Sequence, residues 1–231
     1  MIQYTMSYPI YIILSLLGFL LAAGASFLTS TTFSKHRLTR PAKPITPLEL
    51  ANDIIQGEGL QVSLTTTPGT LNDHYDPFKN VVAIAADTAN DSGMSQLAVT
   101  AHEFGHALQD KDNGILFKIR NLLANVVGFS TNIGYILFTI GLALSFFNLA
   151  VVGLVLFSAT TLFMFITLPI EIDASLKGMK LLRKYQVVTD SEAGAARELL
   201  TAAASTYVAG FLQSFIQLLY FVSLLSGRRR D

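Results

Sequence analysis

VVGFSTNIGYILFTIGLALSFFNLAVVGLVLFSATTLFMFITLPI, residues Val126–Ile170, contains no Asp, Glu, Lys, Arg or His, and its only amides are Asn132 and Asn148. A helix rises about 1.5 Å per residue and needs about 20 residues to cross a bilayer core, so this block is long enough for two crossings. Phe147-Asn148 is the natural centre of a hairpin turn. That predicts spans near Gly128–Phe147 and Leu149–Leu168, with Pro169 at the exit. A hairpin returns to the side it left. The segments before Val126 and after Ile170 therefore share one face of the membrane, and chemistry divided between them can meet.

Composition agrees with this reading. Apolar residues make up 51% of the chain and charged residues 14%, with a mean hydropathy of +0.48. These values depart from those of an ordinary soluble domain and point to a membrane protein with a modest water-facing part. The net charge is zero, so no global field suggests a nucleic-acid partner. There is no Cys. Disulfides and thiolate metal sites are excluded, and any metal must be held by N and O ligands. Tyr8–Leu28 is a further apolar run long enough to span. No Lys or Arg precedes it, so it reads as an uncleaved anchor rather than a signal peptide. Ala202–Leu225 is a third apolar run. Its Gln213 and Gln217 lie four apart on one helical face, which should turn toward protein.

Five segments follow: an N-terminal anchor (1–29), a membrane-proximal domain (30–125), the hairpin (126–170), a polar segment with an amphipathic helix (171–201) and a C-terminal apolar helix with a basic tail (202–231). Within the second, Ser30–Pro47 reads as a polar linker. Thr46-Pro47-Leu48-Glu49 opens a short helix with a capping box and Pro at its first position, and Gly57 and Gly59 end it. Leu60–Leu64 alternates weakly, like a strand. Thr67–Thr70 is a turn, and Asp73–Pro77 leads into another at Asp76–Asn80. Val81–Ala85 is the clearest strand. From its place before the next helix, it is expected to offer an edge to an extended peptide. Asp91 or Ser92 should cap a helix at about Met94–Asp110.

That helix carries AVTAHEFGHALQ, residues Ala98–Gln109, with the pattern H-E-x-x-H at His102, Glu103 and His106. Residues four apart on a helix lie on one face, so His102 and His106 can offer two imidazoles to one zinc ion. Glu103 is offset by about 100° and is placed to act as a general base on a water held there. A catalytic zinc usually takes three protein ligands. Glu171 and Asp173 are the first charges after the apolar block, and the hairpin brings them back to the side of the zinc helix. Glu171 is the preferred third ligand, and Asp173 the partner of a histidine N–H. His74 is either an oxyanion donor or a turn residue bonded to Asp73 or Asp76, and Tyr75 stands with the same two readings.

LNDHYDP (Leu71–Pro77), AHEFGHALQ (Ala101–Gln109) and LPIEIDAS (Leu168–Ser175), in this order, resemble the YugP-type neutral zinc metallopeptidases of bacterial membranes. The resemblance covers nearly the whole chain. It implies a mainly α membrane protein with transmembrane helices and a small α+β zincin-like domain carrying the H-E-x-x-H helix. It also implies zinc as cofactor and peptide hydrolysis as the reaction. In the wider His-His-Glu group the third ligand often opens a Glu-x-x-Ala-Asp helix. Glu171 and Ala174 match that pattern, and Ser175 stands in place of the Asp.

The expected partners are a polypeptide or membrane-protein substrate and the lipid bilayer. An intramembrane protease is the alternative enzyme, and a non-catalytic zinc-stabilised membrane scaffold the alternative outside enzymes. Charges flanking the zinc helix count against the first, and Glu103 against the second, because zinc binding alone does not require it. Lys35, Arg37, Arg40, Lys43, Lys118, Arg120, Lys177, Lys180, Arg183 and Lys184 fall on the side of the zinc site. The positive-inside rule makes that side cytoplasmic. If Ala202–Leu225 spans, Arg228–Arg230 lie outside, against the same rule.

Overall fold

The apolar block folds as the end of one long helix and the start of another, each continuing well past it into polar sequence. The computed structural model describes residues 6–228. Within them the chain forms α1 (Tyr8–His36), α2 (Pro47–Glu58), β1 (Ser63–Thr67), β2 (His74–Asp76), β3 (Val81–Ala85), α3 (Met94–Lys111), α4 (Ile115–Ala143), α5 (Phe147–Lys184) and α6 (Ala193–Arg228). Arg229 and Arg230, part of the expected basic tail, lie outside the described residues. Among the described residues four helical stretches, Tyr8–His36, Val126–Ala143, Phe147–Lys184 and Ala193–Gly227, are long and apolar enough to cross a membrane.

The chain divides into two units. The first comprises Met1–Ala25, Ile119–Leu168 and Thr206–Asp231. Its core is aromatic: Phe138 stacks on Phe221 at 3.9 Å and Phe157 tilts against Phe221 at 5.0 Å. The turn between α4 and α5 comes a few residues before Phe147-Asn148. Ser145 takes a left-handed φ of 59°, and Gly141 lies so close to Ala150 that a Cβ would sit 2.4 Å from the Ala150 nitrogen. Phe147 thereby becomes the first residue of α5. Gln217 turns inward as expected and accepts from the Tyr11 hydroxyl at 2.6 Å. Ile13, Phe19, Phe129 and Val155 face outward.

The second unit comprises Ser26–Lys118 and Pro169–Ser205. Leu50, Ala51, Ile54, Val82, Ile84, Leu97 and Phe104 are buried in its core. The capping box of α2 forms as its sequence predicts. Thr46 Oγ1 accepts from the Glu49 amide, Glu49 Oε2 accepts from the Thr46 amide, and Gly59 closes the helix in the left-handed region. α1 runs on to His36 through residues assigned to a linker. The hydroxyls of Thr31 and Ser34 donate back to the carbonyls of Phe27 and Ser30 within the helix, so the polar run stays helical.

Two further elements differ from expectation. His74–Asp76, in the segment expected to lead into the turn, is a strand that pairs antiparallel with β3 with Tyr75 opposite Val82, and the expected turn follows it at residues 77–80. The sheet order is β1-β3-β2, with β1 parallel to β3. Val81–Ala85 is therefore the central strand. β1 takes one edge along its whole length and β2 takes the other over Val81–Ala83, so it is not the free edge strand expected for a peptide. α3 begins after Gly93, with no side-chain cap. Asp91 instead accepts from Arg40 and Gln96, and the Met94 amide donates to the Thr39 carbonyl.

Pro169 lies inside α5. The helix that begins in the apolar block continues through Glu171 and Asp173 to Lys184. α6 likewise runs unbroken from Ala193 across the expected junction between residues 201 and 202.

Candidate metal centre

α3 and α5 cross within the second unit at contact distance. A Cβ on Gly105 would lie 2.3 Å from the Ala174 carbonyl oxygen, and one on Gly178 would lie 3.0 Å from the Ala101 carbonyl oxygen. This close approach sets Glu171 against the two histidines. Glu171 Oε2 is 3.2 Å from His102 Nε2 and 3.5 Å from His106 Nε2. The three donor atoms lie within 4.8 Å of one another. Glu171 is 1% exposed and His106 7%. The two imidazoles meet edge to face at 4.9 Å, and Phe117 stacks on His106 at 5.8 Å.

The opposite nitrogens of both rings are also held. His102 Nδ1 lies 3.1 Å from Ser175 Oγ. His106 Nδ1 lies 3.0 Å from Gln109 Oε1. Gln109 Nε2 in turn donates to the Ile170 carbonyl and to Asp173 Oδ2, each at 2.8 Å. Asp173 also accepts from Lys177 at 2.6 Å. Sequence alone sets Asp173 directly against a histidine N–H. In the structure Ser175 and Gln109 hold those positions, and Asp173 reaches His106 through Gln109. Helical spacing was the available signal: Gln109 is three residues after His106, and Ser175 four after Glu171.

This donor set fits zinc. Two imidazole nitrogens and one carboxylate oxygen, with no thiolate, make one of the ligand sets of catalytic zinc sites. With each Nδ1 engaged on its outer side, both Nε2 atoms turn toward a buried carboxylate. A cation between them would satisfy all three.

Glu103 stands beside this cluster and accepts from the Tyr75 backbone amide at 2.9 Å. β2 thus holds the carboxylate by its main chain. Burial pushes the Glu103 carboxyl up to about 7; nearby His102 and the Tyr75 amide oppose the rise, and Glu171 and Asp73 add to it. The Tyr75 hydroxyl donates to Asp110 Oδ2 at 2.8 Å and lies 3.0 Å from Asn80 Oδ1. Burial, with Asp110 next, raises its pKa and keeps its proton in place. His74 is exposed on β2 with Nδ1 2.8 Å from the Asn72 carbonyl, and it is not one of the three converging donors. Gln109 and Asp173 also line an apolar cavity of about 340 Å³, whose other walls include Ile115, Phe117, Pro169 and Ile170.

A largely buried His-His-Glu cluster beside a half-buried carboxylate is the kind of centre found in zinc hydrolases. Comparison with known proteins gives the class directly: residues 11–226 match the family described as "Putative neutral zinc metallopeptidase", and the chain belongs to that family. It is 34% identical to the "Putative membrane protease YugP" of Bacillus subtilis (strain 168) over 221 residues, which cover 95% of this chain and 98% of the relative. No solved structure matches the chain at comparable significance.

Proposed function

We propose that this protein is a membrane-bound zinc metallopeptidase that hydrolyses peptide bonds of polypeptide or membrane-protein substrates, with its site on the cytoplasmic side. The observation that carries the reading is the meeting of His102 Nε2, His106 Nε2 and Glu171 Oε2 within 4.8 Å, with the Glu103 carboxylate alongside. Family membership and the name of the Bacillus relative support the class. The four apolar helices and that relative's name support membrane residence.

His102, His106 and Glu171 hold the zinc. When bound, zinc supplies a Lewis acid that polarises the scissile carbonyl and acidifies water. Glu103 takes the proton from the attacking water and delivers it to the departing amine. Without metal, burial brings the Glu103 carboxyl up to about 7, and a dication held beside it would favour the ionised form that a general base needs. The Tyr75 amide fixes one carboxylate oxygen, which leaves the other for proton transfer. Ser175 and Gln109 hold the histidine rings in the orientation that turns Nε2 to the metal.

The test is purification in detergent, a zinc count, and a protease assay of the wild type and Glu103→Gln. Cleavage lost with zinc retained supports the enzyme. Full cleavage by the variant would remove Glu103 from its role. Zinc at full occupancy with no hydrolysis of any peptide by the wild type would favour a scaffold.

A further inference from the structure

We infer that Gln109 is a positioning residue for this centre: its side-chain amide selects which nitrogen of His106 carries the proton, and ties that ring to the backbone beside Glu171. The inference rests on the reading of His102, His106 and Glu171 as a metal site. Gln109 is 5% exposed, and only one orientation of its amide satisfies its neighbours. Nε2 faces the Ile170 carbonyl and the Asp173 carboxylate, both at 2.8 Å. The carbonyl oxygen is an acceptor, and so is the ionised carboxylate, whose place is fixed by Lys177 at 2.6 Å. Flipping the amide would set its oxygen against both.

Oε1 must therefore face His106 Nδ1 at 3.0 Å, and an amide oxygen can only accept. The neutral His106 ring carries its proton on Nδ1, and the lone pair remains on Nε2. On the neutral ring that lone pair faces Glu171 Oε2 at 3.5 Å, an acceptor, across a gap that a proton or a metal cation would fill. Ser175 does not make the same selection at His102, because a hydroxyl either donates or accepts. The second contact of Gln109 is to the carbonyl of Ile170, the residue next to Glu171. One amide thus touches the ring that supplies one ligand and the backbone that carries another.

Metal-free protein labelled with ¹⁵N-histidine tests this, because long-range ¹H–¹⁵N correlation reports the tautomer of each ring. Zinc affinity is read separately by competition with a chromophoric chelator. The wild type should show His106 with Nδ1 protonated, whether or not Nε2 also carries a proton toward Glu171. Gln109→Leu should lose that preference and bind zinc about 10–100-fold more weakly, the usual cost of removing a partner of a ligand histidine. Gln109→Glu keeps the acceptor for His106 and loses both donors, so it too should weaken zinc. Adding Asp173→Asn to it restores a donor between positions 109 and 173, and should recover affinity.

Retention of the Nδ1–H tautomer and of wild-type affinity in Gln109→Leu overturns the inference. So does failure of the double variant to improve on Gln109→Glu, a comparison that stands even where Gln109→Leu does not fold. A wild type that binds no zinc overturns the metal reading itself, while the tautomer measurement still reports on Gln109.

Discussion

Gly105→Ala offers the sharpest test of how this site is assembled, because two effects of opposite sign act on one methyl group. Replacing glycine by alanine in a helix interior gains about 1 kcal/mol. Against that, the new Cβ would sit 2.3 Å from the Ala174 carbonyl oxygen, where ordinary contact begins at 3.4 Å. The obstacle is the backbone of α5, which cannot swing aside as a side chain would. The two helices must separate by about 1 Å, and overpacking of this kind costs about 1–3 kcal/mol. The net expectation is a loss of stability of about 0–2 kcal/mol, visible as a lower unfolding temperature of the metal-free protein in detergent.

The larger effect falls on the metal. Zinc–ligand distances tolerate only about ±0.2 Å, and Glu171 sits on the helix that is displaced while the two histidines sit on the other. Zinc affinity should fall by more than tenfold. Gly194→Ala is the control, since a Cβ there meets nothing within 4 Å; it should cost neither stability nor affinity. An unfolding temperature at or above wild type for Gly105→Ala, with unchanged zinc affinity, would refute the tight crossing as the device that delivers Glu171.

Three other outcomes follow from the same geometry. Glu103 holds its proton up to about 7 in the folded chain against an ordinary 4.5, so its contribution to stability is complete below about pH 4.5 and is lost as pH rises through about 7. Metal-free Glu103→Gln cannot lose that proton. Its denaturation midpoint should gain on the wild type from pH 5 to pH 8, and a difference independent of pH would contradict the burial argument. His74→Ala should leave turnover unchanged, because the ring is exposed and bonds to its own loop at Asn72; a loss of about 10²–10³ in kcat would instead mark His74 as an oxyanion donor. On the proposed topology, in which all four apolar helices cross and the site is cytoplasmic, a reporter fused after residue 231 should read as external, and a cytoplasmic signal would overturn either the crossing of α6 or the side assigned to the site.

Much of this was legible in the sequence because the signals were local. The capping box at Thr46–Glu49, the β-branched run at Val81–Ala85 and the uncharged block at Val126–Ile170 each declare themselves within a few residues. The turn at Asp76–Asn80 forms at residues 77–80, but the strand just before it gave no signal because Asp and Pro are turn formers. Tyr75 is buried by pairing with β3, a contact set by tertiary structure rather than by propensity. The same pairing makes β3 central, which position along the chain does not reveal. At the site, H-E-x-x-H was visible because helical spacing alone puts His102 and His106 on one face. Gln109 and Ser175 were equally accessible by spacing, but their polar side chains carry no motif of their own.

Pro169, expected at the exit of the second span, does not end the helix that carries it. Proline inside a helix removes one hydrogen bond and clashes with the preceding turn, yet α5 passes through it. Once α5 is continuous, its spacing explains the site. Glu171, Ala174, Ser175 and Gly178 fall at offsets of three, four and seven, one face of a helix. On α3, Ala101, Gly105 and Gln109 are four apart, and so are His102 and His106. Small residues and polar ligands alternate along both faces: Ala174 meets Gly105 and Gly178 meets Ala101, while Glu171 meets both histidines and Ser175 meets His102. The seam that packs the helices is the seam that gathers the donors. A substitution that alters the packing must therefore alter the chemistry, and binding of a metal must tighten the crossing in return.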